Sequence, residues 1–130
     1  MNVLEDNYDF DEFKKIINTN DNLIVLDFFA EWCNPCKKLT PHLEQMVNKF
    51  PEVTFYKIDV DKNQDVSQQF KIKCMPTIIM LKNRYIVEKI EGGALEILSK
   101  ESKNDNDYFE LDRIEGLDVT KINNSIEKYK

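Results

Sequence analysis

The sequence predicts an α/β fold, because a strand, a helix and a second strand follow one another in the first half of the chain. Leu23–Phe29 is almost entirely apolar, which is typical of a central strand covered on both faces. The apolar residues of the next segment recur at helical spacing: Leu39, Leu43, Met46, Val47 and Phe50. Val53–Val60 alternates and is again rich in strand formers. This order predicts two parallel strands joined by a right-handed crossover.

Caps and apolar spacing predict the elements around this unit. Asn2–Leu4 is a candidate edge strand, and Asp9 followed three residues later by Glu12 is typical of a capping box at a helix start. The first helix then presents one apolar face: Phe10, Phe13, Ile16 and Ile17. The second helix is predicted over Cys33–Phe50, and Pro41 within it should produce a kink.

The second half of the chain leaves the choice of the last strand open. Asn63–Phe70 is predicted as a short helix and Thr77–Leu81 as a strand. Residues 85–91 and 108–114 are both β-rich, and each belongs to a stretch that ends in Ile-Glu-Gly, so either one is a candidate for closing the sheet. Asp118 is a candidate cap for a final helix with one apolar face: Ile122, Ile126 and Tyr129.

Composition limits the class of protein and its partners. A chain of 130 residues with 42% hydrophobic and 32% charged residues is expected to form a single domain around one core. The net charge of −6 argues against nucleic acids and anionic membranes as main partners. The first ten residues are acidic, and no apolar stretch is long enough to span a bilayer. We therefore expect a reducing compartment, the cytoplasm or the nucleus.

Cys33 and Cys36 carry the main chemical signal of the sequence. Two thiols separated by two residues can close into a disulfide and open again. The pair lies where a predicted strand leads into a predicted helix, so Cys33 is expected at the helix N-terminus. Unpaired backbone N–H groups and the helix dipole at that position stabilise a thiolate. A cysteine pair in this context predicts redox exchange.

Two other roles for the pair fit less well. A structural zinc site needs four ligands, usually in two close pairs, whereas the chain has three Cys and one His without a second pair at ligand spacing. We therefore predict no metal. A purely structural disulfide across so short a loop would restrict the unfolded chain little.

Several separated motifs resemble the thioredoxin family. They are the Phe-Phe-Ala-Glu-Trp-Cys-Asn-Pro-Cys-Lys sequence of Phe28–Lys37, then Pro41, then Met75–Thr77, and a Gly shortly before the last helix. The resemblance covers residues 1 to about 90 and resumes at about 115–130. It implies a single thioredoxin-like domain over residues 1–130, with a central mixed sheet of four to five strands flanked by helices. It also implies that Pro76 is cis and faces the cysteine pair.

The chain departs from the family pattern at two places. Asn34 stands where the family usually has Gly between the first Cys and Pro, so a side chain projects at the mouth of the site. An extra segment is expected at about residues 92–115, because thioredoxins usually pass from the last strand to the last helix almost directly. This segment is acidic, which is typical of a solvated loop, and a docking role for a protein partner is the alternative.

The resemblance implies a role for each residue of the redox centre. Cys33 is the expected nucleophile and Cys36 the resolving thiol. Asp27 lies within an apolar strand, where burial raises a carboxyl pKa, and it matches the buried proton acceptor of the family; the alternative is a strand residue at a sheet edge. Lys57 matches a lysine that lies near this carboxyl in some thioredoxins, where it would tune Asp27, and the alternative is an exposed lysine.

A substrate groove is implied beside the dithiol. Its expected residues are Trp32, Asn34, Pro35, Met75, Pro76 and Thr77. Pro35 also suits the first turn of a helix. Cys74, just before Met75, is either an inert thiol or a regulatory thiol that forms intermolecular disulfides.

The predicted function is that of a thioredoxin-like thiol-disulfide oxidoreductase. The reduced dithiol of Cys33 and Cys36 would reduce disulfide-containing proteins and be recharged by thioredoxin reductase or a similar donor. No cofactor is implied, because the thiols carry the electrons. The alternative is a binding module or a subunit of a larger assembly with minor redox activity, a role that Asn34 and the 92–115 segment would suit.

Overall fold

The computed structural model describes residues 2–3, 7–17, 22–83 and 108–130. Within these ranges the strands are β1 Asn2–Val3, β2 Ile24–Phe29, β3 Thr54–Asp59, β4 Thr77–Asn83 and β5 Tyr108–Glu115. The helices are α1 Phe10–Ile17, α2 Asn34–Lys49, α3 Gln64–Gln69 and α4 Val119–Tyr129. In this part of the chain, no helix has both the length and the apolar character needed to cross a membrane.

The described strands form one mixed sheet in the order β1-β3-β2-β4-β5. β2 and β3 are parallel, as the strand-helix-strand pattern predicts, while β4 runs antiparallel to β2 and β5 runs antiparallel to β4. The prediction of a mixed sheet flanked by helices is confirmed. In this register Asp27, in the central strand, lies opposite Lys57 on one side and Ile78 on the other.

Each face of the sheet has its own hydrophobic cluster, because successive side chains of a strand point to opposite faces. On one face, Val25 packs with α2 and α4 residues such as Leu39 and Ile122. On the other face, the side chains of Ile24, Leu26 and Phe28 pack with α1 and α3 residues. The alternation of β2 therefore places Asp27 on the same face as Val25, under α2.

The structure assigns the last strand to the second of the two candidate segments. Residues Tyr108–Glu115 pair with β4 from Asn83 to Thr77 and leave only a short connection to α4. The expected insertion at 92–115 therefore cannot extend to residue 115, because its last eight residues belong to the sheet. The segment between β4 and β5 is residues 84–107, and it lies outside the described residues, as does the other candidate strand, 85–91.

Side-chain caps begin two of the helices where the sequence predicts them. The Asp9 carboxylate accepts a hydrogen bond from the Glu12 N–H at 2.8 Å, and the Glu12 carboxylate accepts one from the Asp9 N–H at 3.2 Å. Asp118 likewise accepts from the Lys121 N–H at 3.0 Å at the start of α4. The reciprocal pair at α1 is the predicted capping box, and it satisfies two N–H groups that the helix itself leaves unpaired.

Replacement of Asp9 by alanine is expected to lower the free energy of unfolding by about 1 kcal/mol, because the Glu12 N–H loses its acceptor. Asp11→Ala is the matched control, since it also removes one negative charge near the start of α1 but loses only a 3.7 Å surface ion pair with Lys14. Urea denaturation of both variants measures the difference. Equal destabilisation by the two changes would contradict a capping contribution.

Candidate active site

Cys33 and Cys36 form a disulfide at the start of α2. Their Cα atoms lie 5.3 Å apart, and both residues are almost completely buried. Cys33 is the N-cap of the helix in an extended conformation, and the Cys36 N–H donates to its sulfur at 3.2 Å. Pro35 occupies the first turn, where a missing N–H costs nothing. The Cys33 sulfur therefore lies at the positive end of the helix dipole, beside a backbone donor.

The loop before β4 packs against the dithiol. The Met75–Pro76 peptide bond is cis, and the half-buried Met75 side chain packs on the cluster formed by Ala30, Cys33 and Cys36. Two hydrogen bonds hold the loop, one from the Thr77 hydroxyl to the Cys74 carbonyl at 2.7 Å and one from the Gly116 N–H to the Pro76 carbonyl at 2.8 Å. The cis-proline loop, residues 74–77, and the cysteine pair are thus adjacent.

Asp27 is a buried carboxyl group in the central strand. Only 4% of the residue is exposed, and Oδ1 has no hydrogen-bond partner. Burial raises the pKa of Asp27 to about 7, and the opposing effect of the positive charge on Lys57 is smaller. The carboxyl group can therefore take up or release a proton near neutral pH.

Lys57 is half-buried at the edge of a cavity that also reaches the dithiol. Its ammonium nitrogen lies 4.4 Å from the centroid of the Phe29 ring, which stabilises the charge away from bulk water. The cavity has a volume of about 410 Å³ and is lined by Phe29, Ala30, Glu31, Cys36, Lys37, Thr40 and Lys57. Lys57 thus interacts electrostatically with Asp27 and lines the same cavity as Cys36.

Trp32 lies at the surface beside the cysteine pair. The residue is 67% exposed, and its indole N–H donates to the Asp61 carboxylate at 2.9 Å. Sequence reasoning missed Asp61. The available signal is its place just after a parallel strand, because the C-terminal ends of β2 and β3 lie at the same edge of the sheet. Asn34 and Pro35 are exposed next to Trp32.

Cys74 is an exposed free thiol in the cis-proline loop, with its sulfur 3.9 Å from the Thr77 hydroxyl. It lies in the same loop as Met75, but no disulfide joins it to the redox pair. Across residues 2–3, 7–17, 22–83 and 108–130, no group of three or more His, Cys, Asp or Glu side chains is arranged to hold a metal ion.

Comparison with known proteins identifies the family. The model of the Thioredoxin family matches residues 6–103. The chain belongs to the thioredoxin family. Mitochondrial thioredoxin-3 of Saccharomyces cerevisiae is 38% identical over 93 residues, which are 72% of each chain. Thioredoxin of Ophiophagus hannah is 43% identical over 96 residues, 73% of this chain and 91% of that protein. The crystal structure of Fasciola hepatica thioredoxin superposes with a TM-score of 0.74 at 31% identity, covering all of both chains.

Family membership and the Cys33–Cys36 disulfide together define the activity. The protein is a thioredoxin-family thiol-disulfide oxidoreductase, and its activity is the reduction of disulfides in other proteins. The disulfide in the structure is the oxidised form of the dithiol that carries the electrons. This thioredoxin brings Cys33, Cys36 and Met75 into contact and places Asp27 on the sheet face under α2.

Proposed function

We propose that Cys33 is the nucleophile and Cys36 the resolving thiol of this protein-disulfide reductase. The Cys33 thiolate attacks a substrate disulfide, forms a mixed disulfide and releases one substrate sulfur as a thiolate. Cys36 then loses its proton and attacks Cys33, which releases the second substrate sulfur and leaves the Cys33–Cys36 disulfide. The substrate gains two electrons and the enzyme dithiol loses two. The N-cap position of Cys33 supports its role, because the helix terminus favours a thiolate there.

Asp27 is the proposed acceptor of the proton that Cys36 loses. The observation that carries this proposal is a carboxyl group with a pKa of about 7, held in the strand that α2 covers. A base with a pKa near the working pH is both sufficiently ionised to accept a proton and sufficiently basic to hold it. Cys36 and Lys57 both line the 410 Å³ cavity, and the proposed route of the proton to solvent is on the Lys57 side of Asp27.

Lys57 is the proposed tuning residue for Asp27. Its positive charge lowers the pKa of the carboxyl group and so opposes part of the effect of burial. The Phe29 ring beneath the ammonium group supports this role, because it keeps the charge at the cavity edge.

The proposed substrate groove lies around the dithiol and comprises Trp32, Asn34, Pro35, Met75, Pro76 and Thr77. Pro76 and Thr77 are buried, so Thr77 would act by holding the Cys74 carbonyl and not by touching a substrate. An exposed indole, an exposed proline in the first turn of α2 and a half-buried Met75 packed on the cysteines support this groove, because they offer an apolar surface to an extended peptide. Asn34 adds a side-chain amide that can hydrogen-bond to such a peptide, so it is expected to influence partner choice. Cys74 lies beside this surface as a candidate regulatory thiol.

We also propose the domain organisation of the enzyme, its electron donor, its compartment and a site for a protein partner. Residues 1–130 form a single domain, and thioredoxin reductase or a similar donor reduces the Cys33–Cys36 disulfide after each cycle. The exposed free thiol of Cys74 supports a reducing compartment such as the cytoplasm, where disulfides do not accumulate. The proposed docking site for a protein partner is the part of the predicted 92–115 segment that precedes β5, residues 92–107, and its acidic sequence would suit a basic surface on that partner.

Replacement of Asp27 by asparagine tests the proposed proton acceptor. We expect the attack of Cys36 on a mixed disulfide at Cys33 to slow by about 10- to 100-fold at neutral pH, because the thiol has lost its base. The measurement mixes the reduced protein rapidly with a chromophoric aryl disulfide. The aryl thiol released second, when Cys36 attacks the mixed disulfide, reports the rate of that step. In wild type the rate should rise with pH around the Asp27 pKa of about 7, because only the ionised carboxyl group accepts a proton. The variant should lack that rise.

Asp11→Asn is the matched control, since it makes the same substitution at an exposed position of α1. An unchanged release rate and pH profile in Asp27→Asn would exclude Asp27 as the acceptor and leave solvent as the base.

A further inference from the structure

The C-terminal end of α3 leaves two backbone carbonyls for another element to satisfy. The Lys71 N–H donates to the Gln68 carbonyl at 3.0 Å and the Ile72 N–H to the Ser67 carbonyl at 3.1 Å, which is the pattern of a Schellman motif. Lys71 has the left-handed φ of 54° that this motif requires, although glycine is the usual residue there. The Phe70 and Lys71 carbonyls are not used by these bonds.

Arg113 on β5 binds both of these carbonyls. One guanidinium nitrogen donates to the Phe70 carbonyl, and the other donates to the Lys71 carbonyl at 3.3 Å. The planar fork of an arginine can reach two neighbouring acceptors at once, which a lysine ammonium cannot do with the same geometry. The Phe70 side chain is held separately, since its ring lies 5.5–5.9 Å from the rings of Phe10, Phe13 and Phe28.

We propose that Arg113 is a positioning residue for substrate binding, because it fixes the backbone that leads into the cis-proline loop. Lys71 precedes Pro76 by only five residues. β5 and the residue that follows it therefore hold this stretch at both ends, through the Arg113 side chain at Phe70 and Lys71 and through the Gly116 N–H at the Pro76 carbonyl. The inference rests on the proposed groove, since it assigns Arg113 the task of holding Met75 and Pro76 where a substrate peptide meets them.

Arg113→Ala is expected to raise KM for a protein disulfide substrate by about fivefold or more, because two carbonyls lose charged donors and the loop is less well placed. The alkylation rate of Cys33 by a small reagent should stay unchanged, since that reaction needs no groove. The domain should still fold, because the Phe70 ring keeps its packing. Hydrogen exchange of the peptide containing residues 71–76 should be faster in the variant.

Three further variants make the result decisive. Lys121→Ala removes one exposed positive charge from α4 and should leave KM unchanged. Arg113→Lys should raise KM less than Arg113→Ala does, because one carbonyl keeps a donor. It replaces the alanine variant if that variant does not fold. Met75→Ala tests the groove itself and should also raise KM.

The pattern across these variants separates the two proposals. A raised KM in both Arg113→Ala and Met75→Ala supports the role of Arg113. A raised KM in Met75→Ala with a wild-type KM in Arg113→Ala overturns that role and leaves the groove intact. Wild-type KM values in both variants overturn the groove assignment and the inference that rests on it.

Discussion

Replacing Cys33 by serine is expected to abolish reduction of protein disulfides, with a loss of at least roughly 10³-fold, because Cys33 is the thiol of the pair at the helix N-cap, where a thiolate is favoured. Cys36→Ser should also stop turnover, but at a later step. Its Cys33 thiolate still attacks, and the resulting mixed disulfide accumulates because the resolving thiol is absent. Turnover of a model protein disulfide with a chemical reductant measures the loss, and mass spectrometry of the unreduced protein detects the trapped substrate.

Cys74→Ser is the matched control for these two changes, since it replaces the free thiol outside the disulfide. It should retain wild-type turnover. Substantial turnover in Cys33→Ser would contradict the assignment of the nucleophile. Trapping by Cys33→Ser rather than by Cys36→Ser would reverse the order of the two cysteines.

The stability of the oxidised protein is expected to depend on pH through Asp27. Its pKa is 3.8 in an unfolded chain and about 7 in the fold, so the folded state holds a proton that the unfolded state releases between these values. Stability therefore falls as pH rises through this window and is lowest above pH 7. Asp27→Asn removes the titration, so its stability relative to wild type should rise by about 3 kcal/mol between pH 5 and pH 8.

The comparison is made between pH values because asparagine has its own constant cost of burial, which cancels in the difference. Guanidinium denaturation of both oxidised proteins at pH 5 and pH 8 gives the free energies of unfolding. Asp11→Asn makes the same substitution at an exposed position of α1 and controls for the substitution itself. A difference between Asp27→Asn and wild type that does not change with pH would show that Asp27 ionises in the fold as it does in the unfolded chain.

Most elements of the fold could be predicted from local sequence. Ile24–Phe29 lies within the predicted strand, and the box formed by Asp9 and Glu12 begins α1 as expected. These predictions rest on apolar spacing and on helix caps, and both depend only on residues close together in sequence. The closing strand could not be chosen in the same way, because residues 85–91 and 108–114 have similar local patterns. Pairing of β5 with the distant Thr77–Asn83 decided it.

Some features of the candidate site could likewise be predicted from local sequence, and others depend on tertiary packing. The spacing of Cys33 and Cys36 between a strand and a helix already predicts redox chemistry, because both thiols must lie in the first turn of that helix. The place of Asp61 just after a strand brings it to the right edge of the sheet but does not name Trp32 as its partner, and nothing local pairs Arg113 with the end of α3. Each contact joins residues far apart in sequence, so only the packing of the sheet and helices brings them together.

The sequence by itself determined that this thioredoxin carries a dithiol at a helix N-terminus, within an α/β sheet built around Leu23–Phe29. Those features follow from the period of the apolar residues and from the geometry of a helix start, which are local. The tertiary structure alone decided which segment completes the sheet, how deeply Asp27 is buried and which residues hold the cis-proline loop. Burial and long-range hydrogen bonds are properties of the packed chain, and desolvation of Asp27 arises only when α2 covers the strand.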